Sequence, residues 1–334
     1  MFNDWKIISI VEICYYFVII IASAYPTLKV LTSANGLKKS NPVSDLKPFF
    51  IRFWILLFAK FVAGILLPPY IHQLNLQIAD NGSTSSNTNL LIASVVLHSI
   101  GLGFINILNL YIIEYIDKLQ IYVSDGYESQ PIVKLPGSRA LRLVLPIDVI
   151  YELGQGHYNL ALTLALSKLT FYAVILNAVA SSRLGDDPSV PDRTTTRSIL
   201  SAGSIIYISA MAMISVYIIH KYFFEKKPHG NGIYVNYIKK LLTFNVLITP
   251  FLLVRMIYNV CSAFTFNVHG TFFTNVSRFT FLFGDGNLYA GMVFAMEAIC
   301  ILWITCILWV IFENSQNVEE ATGVTRNEYK LEEF

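Results

Sequence analysis

Several ionisable side chains of this 334-residue chain lie inside long apolar stretches. A charge at the centre of a bilayer costs about 2.5–3.5 kcal/mol on insertion scales, so each such residue needs a partner, a polar cavity or a ligand. The candidates are Glu12, Arg52, Lys60, His98, Lys168, Arg255 and Glu297. Arg52 lies near the end of its stretch, from which a long side chain can reach the membrane surface. The other six are therefore the candidates for chemistry.

Among these residues, Arg255 and Glu297 are the pair whose predicted depths in the membrane agree best. Arg255 is about fourteen residues from the predicted cytosolic end of the sixth apolar segment, and Glu297 is about fifteen from that end of the seventh. At about 1.5 Å per residue, the two lie at nearly the same depth in adjacent helices. Tyr258 and Asn259 follow Arg255 at helical spacing and share its face. This pattern predicts a buried ion pair, which is either a structural tie or part of a ligand or proton site.

Lys60 and Lys168 both lie near mid-membrane, whereas Glu12 is about five residues from the outer end of the first segment. Glu12 can meet Lys60 only if the lysine extends outward. Two lysines facing one cavity would favour an anionic guest, such as a lipid headgroup or a carboxylate; a structural role is the alternative. The predicted ligand-binding residues are Glu12, Lys60, His98, Lys168, Arg255, Tyr258, Asn259 and Glu297.

The segments that carry these residues define the fold class. The chain is 54% hydrophobic and only 14% charged, and its apolar residues form blocks of roughly 20, long enough to cross a bilayer. Such segments must be helical, because lipid cannot satisfy an open backbone. We predict an all-α, seven-helix transmembrane domain over residues 1–312, followed by a disordered acidic tail over 313–334. The predicted spans are approximately 7–29, 49–71, 90–113, 159–180, 199–220, 241–264 and 288–312.

The distribution of basic residues predicts the orientation. Five lie on the side of the amino terminus, fifteen on the opposite side and four inside the spans. Since cytosolic loops are enriched in Lys and Arg, we expect the amino terminus outside and the carboxyl terminus in the cytosol. Glycosylation sequons at Asn81 and Asn275 fall in loops that this orientation places outside. The sequence predicts a multi-pass membrane protein and does not distinguish the plasma membrane from endomembranes.

Motifs of several known classes are missing. No lysine lies in the seventh span to hold a retinal, and the third span lacks the acidic-Arg-Tyr triplet of G-protein-coupled receptors. No HxxxH or HxxxD spacing supports a zinc hydrolase, and no GxSxG, phosphate-binding or dinucleotide motif occurs. The net charge of +2 gives no bias towards nucleic acid. We therefore predict no catalytic residues, cofactor or metal.

Two main function classes remain, beside a remainder of enzymes and scaffolding proteins; a catalytic class would need a converging metal or nucleophile cluster, which the sequence does not show. The first is binding or handling of a lipid or other amphiphile inside the helix bundle, with membrane lipids as partners. The alternative is a sensor or receptor-like protein that acts through cytosolic partners. A polar cavity open to the membrane would favour the first class, and a partner-binding cytosolic surface would favour the second.

Short motifs in four spans carry a family resemblance. The chain resembles a family of fungal seven-helix integral membrane proteins classed as a domain of unknown function. It is also similar in plan to fungal lipid-translocating exporters, without a long shared motif. Neither resemblance implies a defined reaction. The residues that carry the first are Ile8–Glu12 and Tyr16, His98–Leu102, Pro250–Arg255 and Tyr258, and Glu297.

Overall fold

The computed structural model describes residues 3–35, 46–79, 88–124, 145–183, 190–224, 232–266, 277–280 and 283–321. Within these ranges the regular structure is helical. The last helix, α8, begins at Gly286–Tyr289, passes through a π-helical turn at Ala290–Ala295 and continues as Met296–Ala321. The others are α1 (Asn3–Asn35), α2 (Lys47–Ala79), α3 (Thr88–Ser124), α4 (Ile147–Gly154), α5 (Tyr158–Ser182), α6 (Val190–Phe224) and α7 (Gly232–Phe264).

Seven of these helices, all except α4, are long and apolar enough to cross a membrane. This confirms the predicted all-α, seven-span architecture, which is that of a multi-pass integral membrane protein. The outward side of α1 carries large apolar side chains, as a lipid-facing surface requires. Its exposed residues include Ile7, Phe17, Val18, Ile21 and Leu28.

The seven long helices form a closed ring. Each packs against the next in the order α1, α2, α3, α5, α6, α7 and α8, and α8 returns to α1. In addition, α3 contacts α6, α7 and α8, so it lies on the inside of the ring. Its side chains Ile105, Leu108, Ile112 and Ile116 are fully buried. This arrangement turns faces of α1, α2, α3, α7 and α8 towards a shared interior, which contains the candidate site.

Most of the long helices extend beyond their predicted spans, including the first and the last. The first span, predicted to end near residue 29, continues through Pro26 to Asn35. A proline removes one backbone hydrogen bond, but in an apolar setting a break in the helix would leave further backbone groups unsatisfied. Residues 313–321, predicted as disordered tail, belong to α8. Their glutamate-containing sequence is compatible with extending an existing helix, for which no new nucleus is needed.

The short helix α4 is amphipathic and packs beside the beginning of α5. The Oδ1 atom of Asp148 lies 3.1 Å from the Nζ atom of Lys168 on α5. Leu145, Ile150 and Leu153 are exposed. The connection after the third span was expected to contain short helices against the membrane surface, and α4 is one short helix in this region; residues 125–144 lie outside the described part of the chain.

Candidate functional site

Five ionisable residues from five helices form a buried group, here called the charge cluster: Glu12, Lys60, His98, Arg255 and Glu297. Each is at most 2% exposed. Glu12, His98 and Glu297 lie about ten residues into α1, α3 and α8, respectively. The cluster therefore lies well inside the bundle, nearer to the face at which α1 begins, here called the amino-terminal face.

Glu297 is the centre of the cluster. Its Oε1 atom is 2.7 Å from the Nε atom of Arg255, in the ion pair that the sequence predicts. Its Oε2 atom accepts a hydrogen bond from the ammonium group of Lys60, which the sequence did not indicate as a partner. Lys60 also donates to the carbonyl oxygen of His98 at 3.2 Å. One carboxylate thus joins two cations and ties α2, α3, α7 and α8 together.

Glu12 lies beside this group with different partners. The hydroxyl of Tyr289 donates to its Oε1 atom at 2.9 Å. Its Oε2 atom is 3.6 Å from the Nε2 atom of His98. Thus Glu12 accepts a hydrogen bond from a phenol and has an imidazole nearby, whereas Glu297 is held by two full cations.

The π-helical turn places Tyr289 and Glu297 on one side of α8. In an ideal α-helix, residues eight apart differ by about 80° around the axis. One extra residue, accommodated by the π turn at Ala290–Ala295, reduces this difference to about 20°. Both side chains therefore point to the interior, where Tyr289 reaches Glu12 and Glu297 reaches Arg255.

Gly101 of α3 makes room for Lys60. A Cβ atom at this position would overlap the Cε atom of Lys60 and approach its Nζ atom. The lysine side chain crosses the backbone of α3 here on its way from α2 to Glu297. The glycine of the predicted His98–Leu102 motif therefore has a packing function in the cluster.

An aromatic plug, formed by Trp5, Tyr70, Phe283 and Tyr289, covers the cluster towards the amino-terminal face. The ring centroid of Trp5 is 4.8 Å from that of Tyr289 and 5.9 Å from that of Phe283. Tyr70 also packs against Phe283, with their ring centroids 6.1 Å apart. These rings lie between the cluster and the nearest end of the bundle, so they shield the charges from water.

The segment before α8 holds Phe283 in place. Phe283 has a φ of 64°, a left-handed conformation that costs an L-residue roughly 1–2 kcal/mol. A Cβ atom on Gly284 would lie 2.6 Å from the carbonyl oxygen of Thr280, so this turn requires a glycine. Asp285 then caps α8 by accepting from the backbone N–H groups of Asn287 and Leu288. The plug is thus built into the start of the helix that carries Glu297.

The remaining predicted site residues lie around the cluster or away from it. The guanidinium carbon of Arg255 is 5.9 Å from the ring centroid of Tyr258, whose hydroxyl donates to the carbonyl oxygen of Thr280. Asn259 instead donates to the hydroxyl of Ser204 on α6, at 3.0 Å. Lys168 is not brought to the cluster, because its ammonium group pairs with Asp148 of α4.

Asn81 and Asn275, the predicted glycosylation positions, lie outside the described residues. No three His, Cys, Asp or Glu side chains within the described ranges are placed to hold a metal ion.

A second buried ionic group lies towards the opposite end of α3. Asp117 accepts hydrogen bonds from the ammonium group of Lys221 and from the hydroxyls of Tyr217 and Thr163. Asp117 and Lys221 are each 3% exposed. Sequence reasoning missed this group because it ended the third span at residue 113 and assigned Lys221 to a loop. The helical spacing of Tyr217 and Lys221 was the available signal.

The comparisons with known proteins identify a family for the carboxyl-terminal half. Residues 141–313 match the family model described as Domain of unknown function (DUF7702). The chain belongs to the DUF7702 family. This confirms the expected membership of a family of unknown function. The matched region contains Arg255 and Glu297, whereas Glu12, Lys60 and His98 precede it.

No curated protein and no solved structure matches the chain.

Proposed function

We propose that this protein binds the anionic head of a lipid or other amphiphile at the charge cluster and handles it within the membrane. The observation that carries the proposal is the convergence of Lys60 and Arg255 on one carboxylate, deep among apolar helices. Guanidinium and ammonium groups are the side chains that proteins use most for carboxylates and phosphates. A ligand carboxylate or phosphate would share these cations with Glu297.

The seam between α1 and α8 is the proposed route from the lipid. These two helices pack less extensively than other neighbours in the ring. The seam is closed by the hydroxyl of Tyr15, which donates to the carbonyl oxygen of Ala298, next to Glu297. Glu12 and Tyr289 meet at the same seam. An amphiphile entering there would bring its head to the cluster while its tail stays along the apolar face of α1.

Two irregularities lie on the helices that would have to move. The π turn of α8 directly precedes Glu297, and Pro250 lies five residues before Arg255 in α7. Both features weaken the regular hydrogen bonding of a helix and allow it to bend. They support a site in which Glu297 and Arg255 can change position when a ligand enters.

A thermal-shift screen of the purified protein tests the proposal. The probes are 1-decanesulfonate, dodecanoate and lysophosphatidic acid, compared with decanol, a monoacylglycerol, a sterol and simple cations. We expect the anionic amphiphiles to raise the unfolding temperature by mass action, and the neutral amphiphiles of similar length to do so much less. Equal stabilisation by charged and neutral amphiphiles, or none by either, would rule out an anion-specific site.

The alternative, a sensor acting through cytosolic partners, is favoured by one feature. The inner helix α3 carries both His98, beside Glu12, and Asp117, which pairs with Lys221 near the opposite end. A rearrangement of the charge cluster could therefore be transmitted along one helix. If the amphiphile binds but is not moved between leaflets of reconstituted vesicles, the sensor is the better account.

A further inference from the structure

We infer that an anionic head binds to the charge cluster together with one proton, which is carried by the carboxyl group of Glu12. This inference rests on the proposed function and specifies how the site is regulated. It predicts that lowering the pH strengthens binding and raising the pH releases the ligand.

The charges of the cluster provide the first part of the argument. Lys60 and Arg255 contribute two positive charges, and Glu12 and Glu297 contribute two negative charges. With His98 neutral, the cluster has no net charge. An anionic head would leave it with one uncompensated negative charge in a buried, apolar setting, where such a charge is strongly unfavourable. Uptake of one proton restores neutrality.

The contacts of the two carboxylates identify the proton acceptor. Glu297 is in direct contact with both cations, which favour its ionised form. Glu12 instead has the hydroxyl of Tyr289 and the imidazole of His98 as its nearest polar partners. The Tyr289 hydroxyl can donate to a carboxylate or to the carbonyl oxygen of a carboxylic acid. Protonation of Glu12 therefore keeps this hydrogen bond.

The groups around Glu12 are supplied by four helices. On α1 itself, Tyr16 lies on the same side of the helix. The groups from α2, α3 and α8 are Lys60, His98, Tyr289 and Glu297. Lys60 is the positively charged group among those that face Glu12, and its ammonium group also binds Glu297. When a ligand anion shares Lys60, the ionised form of Glu12 loses electrostatic support, and proton binding becomes more favourable.

The proton balance is simple. As the anionic head enters, the carboxylate of Glu12 takes one proton from hydronium or a buffer acid in the bulk solution and becomes a carboxylic acid. When the head leaves, the acid returns the proton to water. On uptake an O–H bond forms on Glu12 and the donor's bond to the same proton breaks, and on release the reverse occurs, so hydronium or the buffer acid is the other reactant.

Isothermal titration calorimetry with 1-decanesulfonate tests the inference, because the sulfonate head stays ionised throughout the pH range used. Binding heats measured in buffers of different ionisation enthalpy give the number of protons taken up. We expect about one proton per ligand bound to the wild-type protein, and an affinity that falls up to tenfold per pH unit as the pH rises. For Glu12→Gln, we expect binding without proton uptake and without this pH dependence.

Glu114→Gln is the matched control, since Glu114 is a carboxylate of α3 in a partly exposed pair with Lys118, away from the cluster. It should take up the same proton as wild type. Wild-type binding without proton uptake would overturn the inference and leave the proposed function standing. Proton uptake that persists in Glu12→Gln would overturn the assignment of the proton to Glu12. If proton uptake were lost only in His98→Gln, the proton acceptor would be His98 instead. No binding by wild type at any pH would instead contradict the proposed function.

Discussion

At the scale of single residues, Glu297 is balanced by two cations, so removing one member leaves a buried charge. Arg255→Met leaves the charge cluster with a net charge of −1, and Glu297→Gln leaves it with +1. Breaking a buried ion pair in this way typically costs about 3–5 kcal/mol. The cluster also contains Lys60 and Glu12. Their opposite charges stay balanced when Arg255 and Glu297 are neutralised together.

We therefore predict that each single variant, Arg255→Met or Glu297→Gln, is strongly destabilised and that the double variant recovers most of the loss. The measurement is the free energy of unfolding of the purified proteins in one detergent, analysed as a double-mutant cycle. The expected coupling arises because the double variant restores neutrality. Additive losses from the two substitutions would show that the residues do not act as a pair.

A second prediction concerns the glycine beneath Lys60. Gly101→Ala should lower the stability by about 1–3 kcal/mol, because the new methyl group displaces the lysine side chain that reaches Glu297. Gly291→Ala in α8 is the matched control, since a Cβ atom there meets no neighbour within 4 Å. That variant should be close to wild type in thermal unfolding. Similar behaviour of both variants would contradict the described path of Lys60.

At the scale of helices, the π turn of α8 determines which residues face the interior. Insertion of one alanine between Gly291 and Met292 adds a further residue to this turn and should rotate Tyr289 by about 100° relative to Glu297. The hydrogen bond from Tyr289 to Glu12 and the contact of Tyr289 with Trp5 would then be lost. We expect a change in Trp5 fluorescence, measured with the other three tryptophans replaced. An unchanged spectrum would show that the turn does not position the plug.

The helices also show what the sequence can and cannot predict. Seven spans and the approach of Arg255 to Glu297 follow from hydropathy and depth, which depend on local composition and helix rise alone. The partner of Lys60 depends on how α2 rotates against α3, and the π turn sets contacts of α8 with two other helices, from Tyr289 to Glu12 and from Glu297 to Arg255. The Asp117–Lys221 group was missed because the span limits were set by hydropathy, whereas the helices continue beyond the apolar core. These features are tertiary, so a single sequence does not display them.

At the scale of the whole molecule, the orientation in the membrane is a prediction from charge. With five basic residues on the amino-terminal side and fifteen on the other, the amino terminus should lie outside the cytosol. A glycosylation reporter fused to the amino terminus should be modified, and one fused to the carboxyl terminus should not. Modification of the carboxyl-terminal reporter alone would show that the orientation is the opposite of the predicted one and that the aromatic plug lies on the cytosolic side.

The central claim is that the charge cluster, and not another part of the bundle, receives an anionic head. The chain contains a natural comparison for this claim, because Asp117 and Lys221 form a second buried ionic pair near the opposite end of α3. Two charge-neutral double variants, Arg255→Met with Glu297→Gln and Asp117→Asn with Lys221→Met, remove one pair each. Both have to be monodisperse and cooperative in thermal unfolding before their ligand responses are compared.

The most direct measurement is the stabilisation of these two double variants by 1-decanesulfonate, relative to decanol and to wild type. The account predicts that the Asp117/Lys221 variant keeps the wild-type increase in unfolding temperature and that the Arg255/Glu297 variant loses most of it. A full response in the Arg255/Glu297 variant would contradict the account and leave Arg255 and Glu297 as a purely structural tie.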